Sequence, residues 1–168
     1  MNKSGKIILF LHILLLISCS GKQEKKEQIT IGTKNSSIQE KPKSSKVTTT
    51  ILASEKIDLK NKGVGPITSV ELSSEIDQTM VDKGKNTFKK MCMACHKPSK
   101  KFIGPAPSGI LKRRSPEWVM NMILNPTEMI EKDPIAKELF IEFNRSPMIN
   151  QNLSKKDARD IIEYFRTL

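Results

Sequence analysis

The sequence predicts a small all-α domain that follows a long polar N-terminal segment. Apolar residues recur at helical spacing in several stretches after residue 77, and no stretch alternates apolar and polar residues between hairpin turns. Of the 168 residues, 37% are hydrophobic and only 5% aromatic, which is enough for one core and not for two large ones. This composition also excludes a collagen, a polytopic membrane protein and a disulfide-dense scaffold.

The first predicted helix covers residues 80–91. Its apolar side chains share one broad face with Gly84 and Phe88. Glycine is unfavourable inside a helix, so its presence there indicates close packing against another element.

Three further helices are predicted from their start signals. Ser115-Pro116 begins the second, which Asn125-Pro126 ends, and Asp133-Pro134 begins the third, which runs through residue 143. A capping box at residues 154–157 begins the last helix, and apolar residues follow it at i, i+3, i+4 and i+7 up to residue 168. The predicted domain spans residues 77–168.

The first 18 residues have the features of a secretory signal peptide. Lys3 and Lys6 precede an apolar run over residues 7–17, which is shorter than the roughly 20 residues that a comfortable transmembrane helix needs. The order Leu-Ile-Ser-Cys ending at Cys19 resembles a bacterial lipoprotein signal, which implies cleavage before Cys19 and lipidation of its sulfur. The alternative is an ordinary signal peptide with an incidental cysteine.

Residues 19–76 are predicted to be a flexible linker. The segment is rich in Lys, Ser and Thr, has no aromatic residue, and between residues 20 and 70 holds ten lysines and five acids. Such a composition buries too little apolar surface to offset the entropy lost on ordering. Only residues 64–72 are expected to be able to pack, as an extended arm on the following domain.

The run Cys92-Met-Ala-Cys95-His96 matches the Cys-x-x-Cys-His pattern of c-type haem attachment. Two thiols three residues apart can reach the two vinyl groups of one porphyrin edge, and the adjacent imidazole then lies beneath the iron. Secretion is consistent with this, because haem is attached to such proteins outside the cytoplasm. The alternatives are a structural disulfide, a thioredoxin-like redox pair and a zinc site.

The second axial ligand of the iron is predicted by elimination. His12 lies in the signal peptide, so a second histidine is excluded, and methionine, lysine or an open site remain. The methionines near the attachment motif are too close to it to reach the opposite face, and those in the predicted helices fit a core role. These are Met80, Met91, Met93, Met120, Met122 and Met129. Met148 follows Pro147 in the loop 145–152 and is the favoured ligand, with a packed loop methionine as the alternative.

With these motifs, residues 77–168 resemble the class I mono-haem cytochromes c. Gly84 and Phe88 resemble the family's first helix, Ile161 and Tyr164 resemble the partner positions on its last helix, and Pro147-Met148 resembles its axial-methionine loop. The resemblance implies one covalent haem c, a small cytochrome c fold and an electron carrier rather than an enzyme.

The loop 103–107 resembles the Gly-Pro loop that follows the attachment site in the family. The resemblance implies that the carbonyl of Pro105 accepts a hydrogen bond from His96 and fixes the orientation of the ring. Pro107 replaces the usual leucine of that loop, and Ile110 or Leu111 is the expected substitute.

Three further side chains are candidates for the haem propionates. Trp118 either donates its indole N–H to a propionate, as in some family members, or packs in the core. Arg113 and Arg114 either pair with the propionates or are solvated, and solvation is expected for at least one of them. More narrowly, residues 113–126 and the Met148 loop resemble small lipoprotein cytochromes of Bacteroidetes-type bacteria, some of which accompany respiratory reductases such as nitrous-oxide reductase.

The charge distribution predicts the kind of partner. The net charge is +11, and residues 83–114 contain ten Lys or Arg and no acid, whereas residues 115–145 contain six acids and three bases. The haem edge is therefore expected in a positive field that steers an acidic docking surface of a redox protein. Nucleic acid is not expected for a secreted chain that lacks aromatic residues interleaved with basic ones.

The leading hypothesis is a lipid-anchored electron carrier of the bacterial cell envelope, with its haem domain facing the periplasm and with no small-molecule substrate. The alternatives are a haem subunit of a larger respiratory oxidoreductase, a haem enzyme or sensor with an open sixth site, and a lipoprotein adaptor with a disulfide.

Overall fold

The computed structural model describes residues 51–168, which form five α-helices and one short 3₁₀ helix. The α-helices are α1 (Gln78–Met91), α2 (Pro116–Leu124), α3 (Pro126–Lys132), α4 (Pro134–Glu142) and α5 (Lys155–Phe165), and the 3₁₀ helix is Ile110–Lys112. Within residues 51–168 the only β-type pairing is an isolated bridge between Asp58 and Arg114, so the all-α prediction is confirmed. The predicted signal peptide, Cys19 and the linker up to residue 50 lie outside the described residues.

Local capping residues explain where most helices begin. The carboxylate of Asp77 accepts from the N–H of Met80 at 3.0 Å before α1, and the hydroxyl of Ser115 accepts from the N–H of Trp118 at 3.1 Å at the start of α2. Asp133 and the capping box at Ser154 do the same for α4 and α5. Each such bond satisfies an N–H that the first helical turn leaves without a partner.

Helix α3 was not predicted from the sequence. Asn125-Pro126 ends α2 as expected, but the same proline also begins α3, since its missing N–H and restricted φ suit the first helical position. The side-chain amide of Asn125 donates to Glu128 at 2.6 Å across the first turn of α3. The turn between α2 and α3 is therefore a single residue.

Helices α1 and α5 cross in direct backbone contact, as the sequence predicts. A Cβ placed on Gly84 would lie 2.0 Å from the carbonyl oxygen of Asp160. Beside this crossing the ring of Phe88 packs against Tyr164 and Phe165, with centroids 5.7 and 5.6 Å away. Aromatic pairs at this spacing stabilise a fold by more than the burial of their apolar area alone. Here they connect α1 and α5 within one core.

The predicted domain boundary at residue 77 requires correction. Residues 51–76, called the N-terminal arm below, pack against the helices as part of the same folded unit. The buried amide of Asn121 accepts from the N–H of Ile67 at 2.9 Å and donates to the carbonyls of Lys62 and Ile67 at 2.8 and 2.9 Å. The packing expected for residues 64–72 is present, and it extends to both sides of that stretch.

Within residues 51–168, no helix has the length and apolar character that crossing a bilayer requires.

Candidate haem site

The Cys92–His96 motif forms a tight turn at the end of α1. The backbone N–H of Cys92 continues the helix to the carbonyl of Phe88, and the N–H groups of Cys95 and His96 then both bond to the carbonyl of Cys92, at 3.1 and 2.9 Å. Both cysteines are free. The turn therefore presents two thiols and one imidazole to the same space.

That space is a largely apolar cavity of about 500 Å³, a size typical of sites for a cofactor-sized molecule. All five α-helices and the 3₁₀ helix contribute wall residues, among them Ile130 from α3 and Ile110 from the 3₁₀ helix. The predicted residues Cys92, Cys95, His96, Pro105, Trp118 and Met148 all line it. The fold thus brings together residues that are up to 56 positions apart in the sequence.

The imidazole of His96 is oriented by the loop that follows the motif. Its Nδ1 lies 2.8 Å from the carbonyl oxygen of Pro105, which can only accept, so Nδ1 is the donor, and in the neutral ring the lone pair is on Nε2. A Cβ on Gly104 would lie 2.4 Å from Cε1 of His96, so only glycine leaves room for the ring. The contact between His96 and Pro105 that the resemblance implied is present.

The environment of the Cys92 thiol disfavours thiol–disulfide exchange. Burial, followed by the nearby Cys95, raises the pKa of Cys92 to about 11. The thiol therefore stays protonated at neutral pH, whereas reactive cysteine pairs rely on a lowered pKa. This environment disfavours the thioredoxin-like alternative and suits thiols that face an apolar ring.

Met148 lies in the loop between α4 and α5. The chain leaves α4 through Asn144 and Arg145, which both adopt left-handed backbone conformations with φ of 58° and 56°. The half-buried side chain of Met148 then lines the cavity. Met122 lines it as well, from α2, whereas Met120 and Met129 are buried in the core as predicted.

The role predicted for the indole N–H of Trp118 is corrected by the structure. The indole nitrogen donates to Asp133 at 3.1 Å, and the residue is 3% exposed. Asp133 also caps α4, so Trp118 ties α2 to α4. The ring lines the cavity, but its N–H is already committed and the core alternative is the correct one.

Of the two arginines, Arg114 is the one that is not solvated. It is 1% exposed, and its guanidinium donates to the carbonyl of Ala53 at 2.6 Å and to that of Lys56. Burial, followed by the charge of Arg113, lowers its pKa from the usual arginine value. It is therefore buried against the arm rather than solvated.

The two arginines still fit an anionic group in the cavity. Both line it, and the Nε of Arg113 and the Nε of Arg114 are buried donors that have no hydrogen-bond partner within residues 51–168. Buried donors are nearly always satisfied in a complete protein, and a propionate carboxylate is a suitable acceptor. The unsatisfied donors, the Gly104 cradle and the apolar lining are together consistent with a haem.

Some wall residues were missed by sequence reasoning. Ser54 and Glu55 of the N-terminal arm line the cavity, although no local pattern distinguishes them from the polar linker. Phe143 closes the wall at the end of α4. Of the residues considered as substitutes for the usual loop leucine, Ile110 lines the cavity beside Pro107, whereas Leu111 packs against the core.

A small all-α domain with a Cys-x-x-Cys-His turn facing an apolar cavity defines the class of c-type haem proteins. Residues 81–168 match the family model described as Cytochrome c. This chain therefore belongs to the cytochrome c family, whose members carry one covalent haem c with its iron and transfer electrons. A search of curated proteins finds no match.

Solved structures agree with this assignment. The cytochrome c from Rhodothermus marinus is 38% identical, with a TM-score of 0.60 over 69% of this chain and 92% of that one. An engineered form of that cytochrome, Rma TDE, is also 38% identical, with a TM-score of 0.59 over 69% of this chain and 93% of that one. A second structure of Rma TDE, bound to a carbene intermediate, has a TM-score of 0.57 at the same identity and coverage. Since 69% of the chain exceeds residues 81–168, the similarity extends beyond the family match.

Proposed function

We propose that this cytochrome c carries single electrons between respiratory partners on the periplasmic side of a bacterial membrane, anchored there through lipidated Cys19. In this proposal Cys92 and Cys95 hold the haem covalently, and His96 and Met148 are the two axial ligands. The main observation that supports the haem site is that these four side chains line one apolar cavity. The haem, when bound, supplies a one-electron couple, and the protein sets its potential, its access to solvent and its docking.

Each proposed ligand has a role that its surroundings support. The hydrogen bond from His96 to Pro105 leaves Nε2 free to bind a metal and strengthens the imidazole as a ligand. A thioether is a soft ligand that raises the haem potential. A pair of strong axial ligands leaves no site for a substrate, which suits an electron carrier better than an enzyme or a gas sensor.

The Met148→Ala variant tests the axial ligand. We expect the ferric wild-type protein to show a sulfur-to-iron charge-transfer band, and the variant to lose it and to have a lower reduction potential, because the thioether is gone. Met122→Ala is the matched control, since Met122 also lines the cavity but lies on α2. A band that is absent from the wild type, or that survives in Met148→Ala, contradicts the assignment. Absence from the wild type would favour the alternative with an open sixth site.

The surface around the attachment motif supports docking to an acidic partner. Met91, Phe102 and Ile103 are exposed apolar side chains, and Met91 and Ile103 also line the cavity. Basic residues flank them in the sequence, and the Nζ of Lys97 lies 4.8 Å from the centre of the Phe102 ring. These residues are Lys89, Lys90, Lys97, Lys100 and Lys101. Apolar contact with a cationic rim provides both close approach to the haem edge and long-range steering, which salt weakens.

Membrane anchoring is tested on the mature protein. We expect mass spectrometry to find an acylated Cys19 as the N-terminal residue, and the protein to fractionate with membranes. In Cys19→Ser the protein should leave the membrane fraction and keep its haem spectrum, because Cys19 is not part of the Cys92–His96 attachment motif or of the Met148 loop. An unmodified N-terminus at another position would refute the anchor without affecting the assignment as an electron carrier.

A further inference from the structure

One part of the N-terminal arm forms a wall of the haem cavity. Ser54 and Glu55 line the cavity, and the residues on either side of them are fixed by one buried guanidinium. Arg114 donates to the carbonyl of Ala53 at 2.6 Å and to that of Lys56. Because Arg114 is 1% exposed, these bonds are shielded from water and hold this stretch of backbone in place.

The same stretch of the arm is joined to the last turn of α4. The backbone N–H of Ser54 donates to one carboxylate oxygen of Glu142 at 2.9 Å, and its hydroxyl donates to the other at 2.6 Å. One turn earlier, Lys56 forms an ion pair with Glu138. Helix α4 ends at Glu142, so both contacts act on the element from which the Met148 loop departs.

The Met148 loop is fixed at its start by the end of α4. Asn144 and Arg145 are in left-handed conformations that L-residues adopt with difficulty. Pro147 and Ile149, the two neighbours of Met148, are both exposed. Backbone N–H groups of Arg145 and Ser146 donate to the carbonyls of Phe140 and Phe143 at 2.8 and 3.1 Å, which ties the start of the loop to the end of α4. Met148 itself packs on the core, and Asn150 donates to the carbonyl of Leu124 at 3.2 Å. The position of Met148 therefore depends strongly on where α4 ends.

We propose that Ser54 is a positioning residue for the axial methionine: with its backbone set by Arg114, it holds the end of α4 through Glu142 and keeps Met148 on the iron. The inference deepens the proposed function and rests on ligation by Met148. Loss of the Ser54 hydroxyl leaves one oxygen of Glu142 without its donor. The end of α4 then moves more freely, and Met148 leaves the iron more often.

The test measures how easily an external ligand replaces Met148. Imidazole is titrated into the ferric, haem-loaded full chain, and loss of the sulfur-to-iron band reports displacement of the thioether. We expect Ser54→Ala to raise the apparent affinity for imidazole about five- to tenfold, the change expected when one hydrogen bond of typical net strength is lost. Ser54→Thr, which keeps a hydroxyl, should stay within about twofold of the wild type. Ser69→Ala is the matched control, since Ser69 is an exposed arm serine with no side-chain hydrogen bond to residues 51–168.

The outcomes separate this inference from the proposed function. If the wild type shows the band and Ser54→Ala binds imidazole like the wild type, the positioning role is wrong and Met148 ligation stands. If the wild type shows no band, ligation by Met148 fails and the inference fails with it. Glu142→Gln approaches the same contact from the other side and should change the imidazole affinity in the same direction as Ser54→Ala. An opposite change, or none, also overturns the inference.

Discussion

Gly84→Ala is expected to lower the free energy of unfolding by at least about 3 kcal/mol, since overpacking against backbone is among the costliest single changes. The added methyl group would lie 2.0 Å from the carbonyl oxygen and 2.4 Å from the carbonyl carbon of Asp160. These are backbone atoms, so α1 and α5 must move apart. The contacts of Phe88 with Tyr164 and Phe165 would be disturbed with them.

Helix propensity alone predicts that Gly84→Ala would raise the free energy of unfolding. Alanine is favoured over glycine in a helix interior by about 1 kcal/mol. If Gly84 faced solvent, its replacement by alanine would therefore stabilise the protein. Denaturant unfolding of the haem-loaded protein measures the difference, with the exposed α1 residue in Lys85→Ala as the control. A Gly84→Ala protein as stable as the wild type would show that the close crossing of α1 and α5 is wrong.

Gly104→Ala is expected to disturb the iron site without an equal loss of overall stability. The new Cβ would lie 2.4 Å from Cε1 and 2.8 Å from Nδ1 of His96, so the ring must rotate and its hydrogen bond to Pro105 breaks. A steric cost of about 2–3 kcal/mol corresponds to a roughly 30- to 150-fold shift away from the His96-bound arrangement.

Absorption spectra and redox titration measure this effect. We expect Gly104→Ala to lose the wild-type ferric spectrum and to titrate at a different potential, because the imidazole of His96, the iron ligand proposed above, would no longer keep its native orientation. Ser99→Ala, an exposed change in the same loop, should leave both unchanged. If the Gly104→Ala protein keeps the native spectrum, the orientation of the His96 ring does not require a glycine at position 104.

Apart from the crossing of α1 and α5, which Gly84 indicated, the features that sequence analysis predicted correctly are local ones. Asp133 and Ser154 bond to N–H groups three residues away, so the residues that begin a helix are neighbours in the sequence. The Cys92–His96 motif is local in the same sense, because its turn closes through hydrogen bonds over three and four residues. Such features can be predicted whatever the rest of the chain does.

Apart from α3, the features that were missed depend on distant partners. The arm is ordered by Asn121 and Arg114, which bond to residues 54 and 61 positions earlier in the chain. Its own composition resembles a linker, since its order comes from buried polar side chains on other elements and not from an apolar pattern. The sequence left the indole N–H of Trp118 open between a propionate and the core for a similar reason: its partner Asp133 lies 15 positions further on, at the start of α4.

By itself, the sequence determined the class of fold, the haem attachment motif and the short list of residues able to bind the iron, because helix caps and ligand spacing act over a few residues. Only the tertiary structure decided that the arm belongs to the folded unit, that Arg114 is buried against it, and that Ser54 joins the end of α4 near the Met148 loop. Those contacts form between segments that meet only after the chain has folded, and no local pattern of residues encodes them.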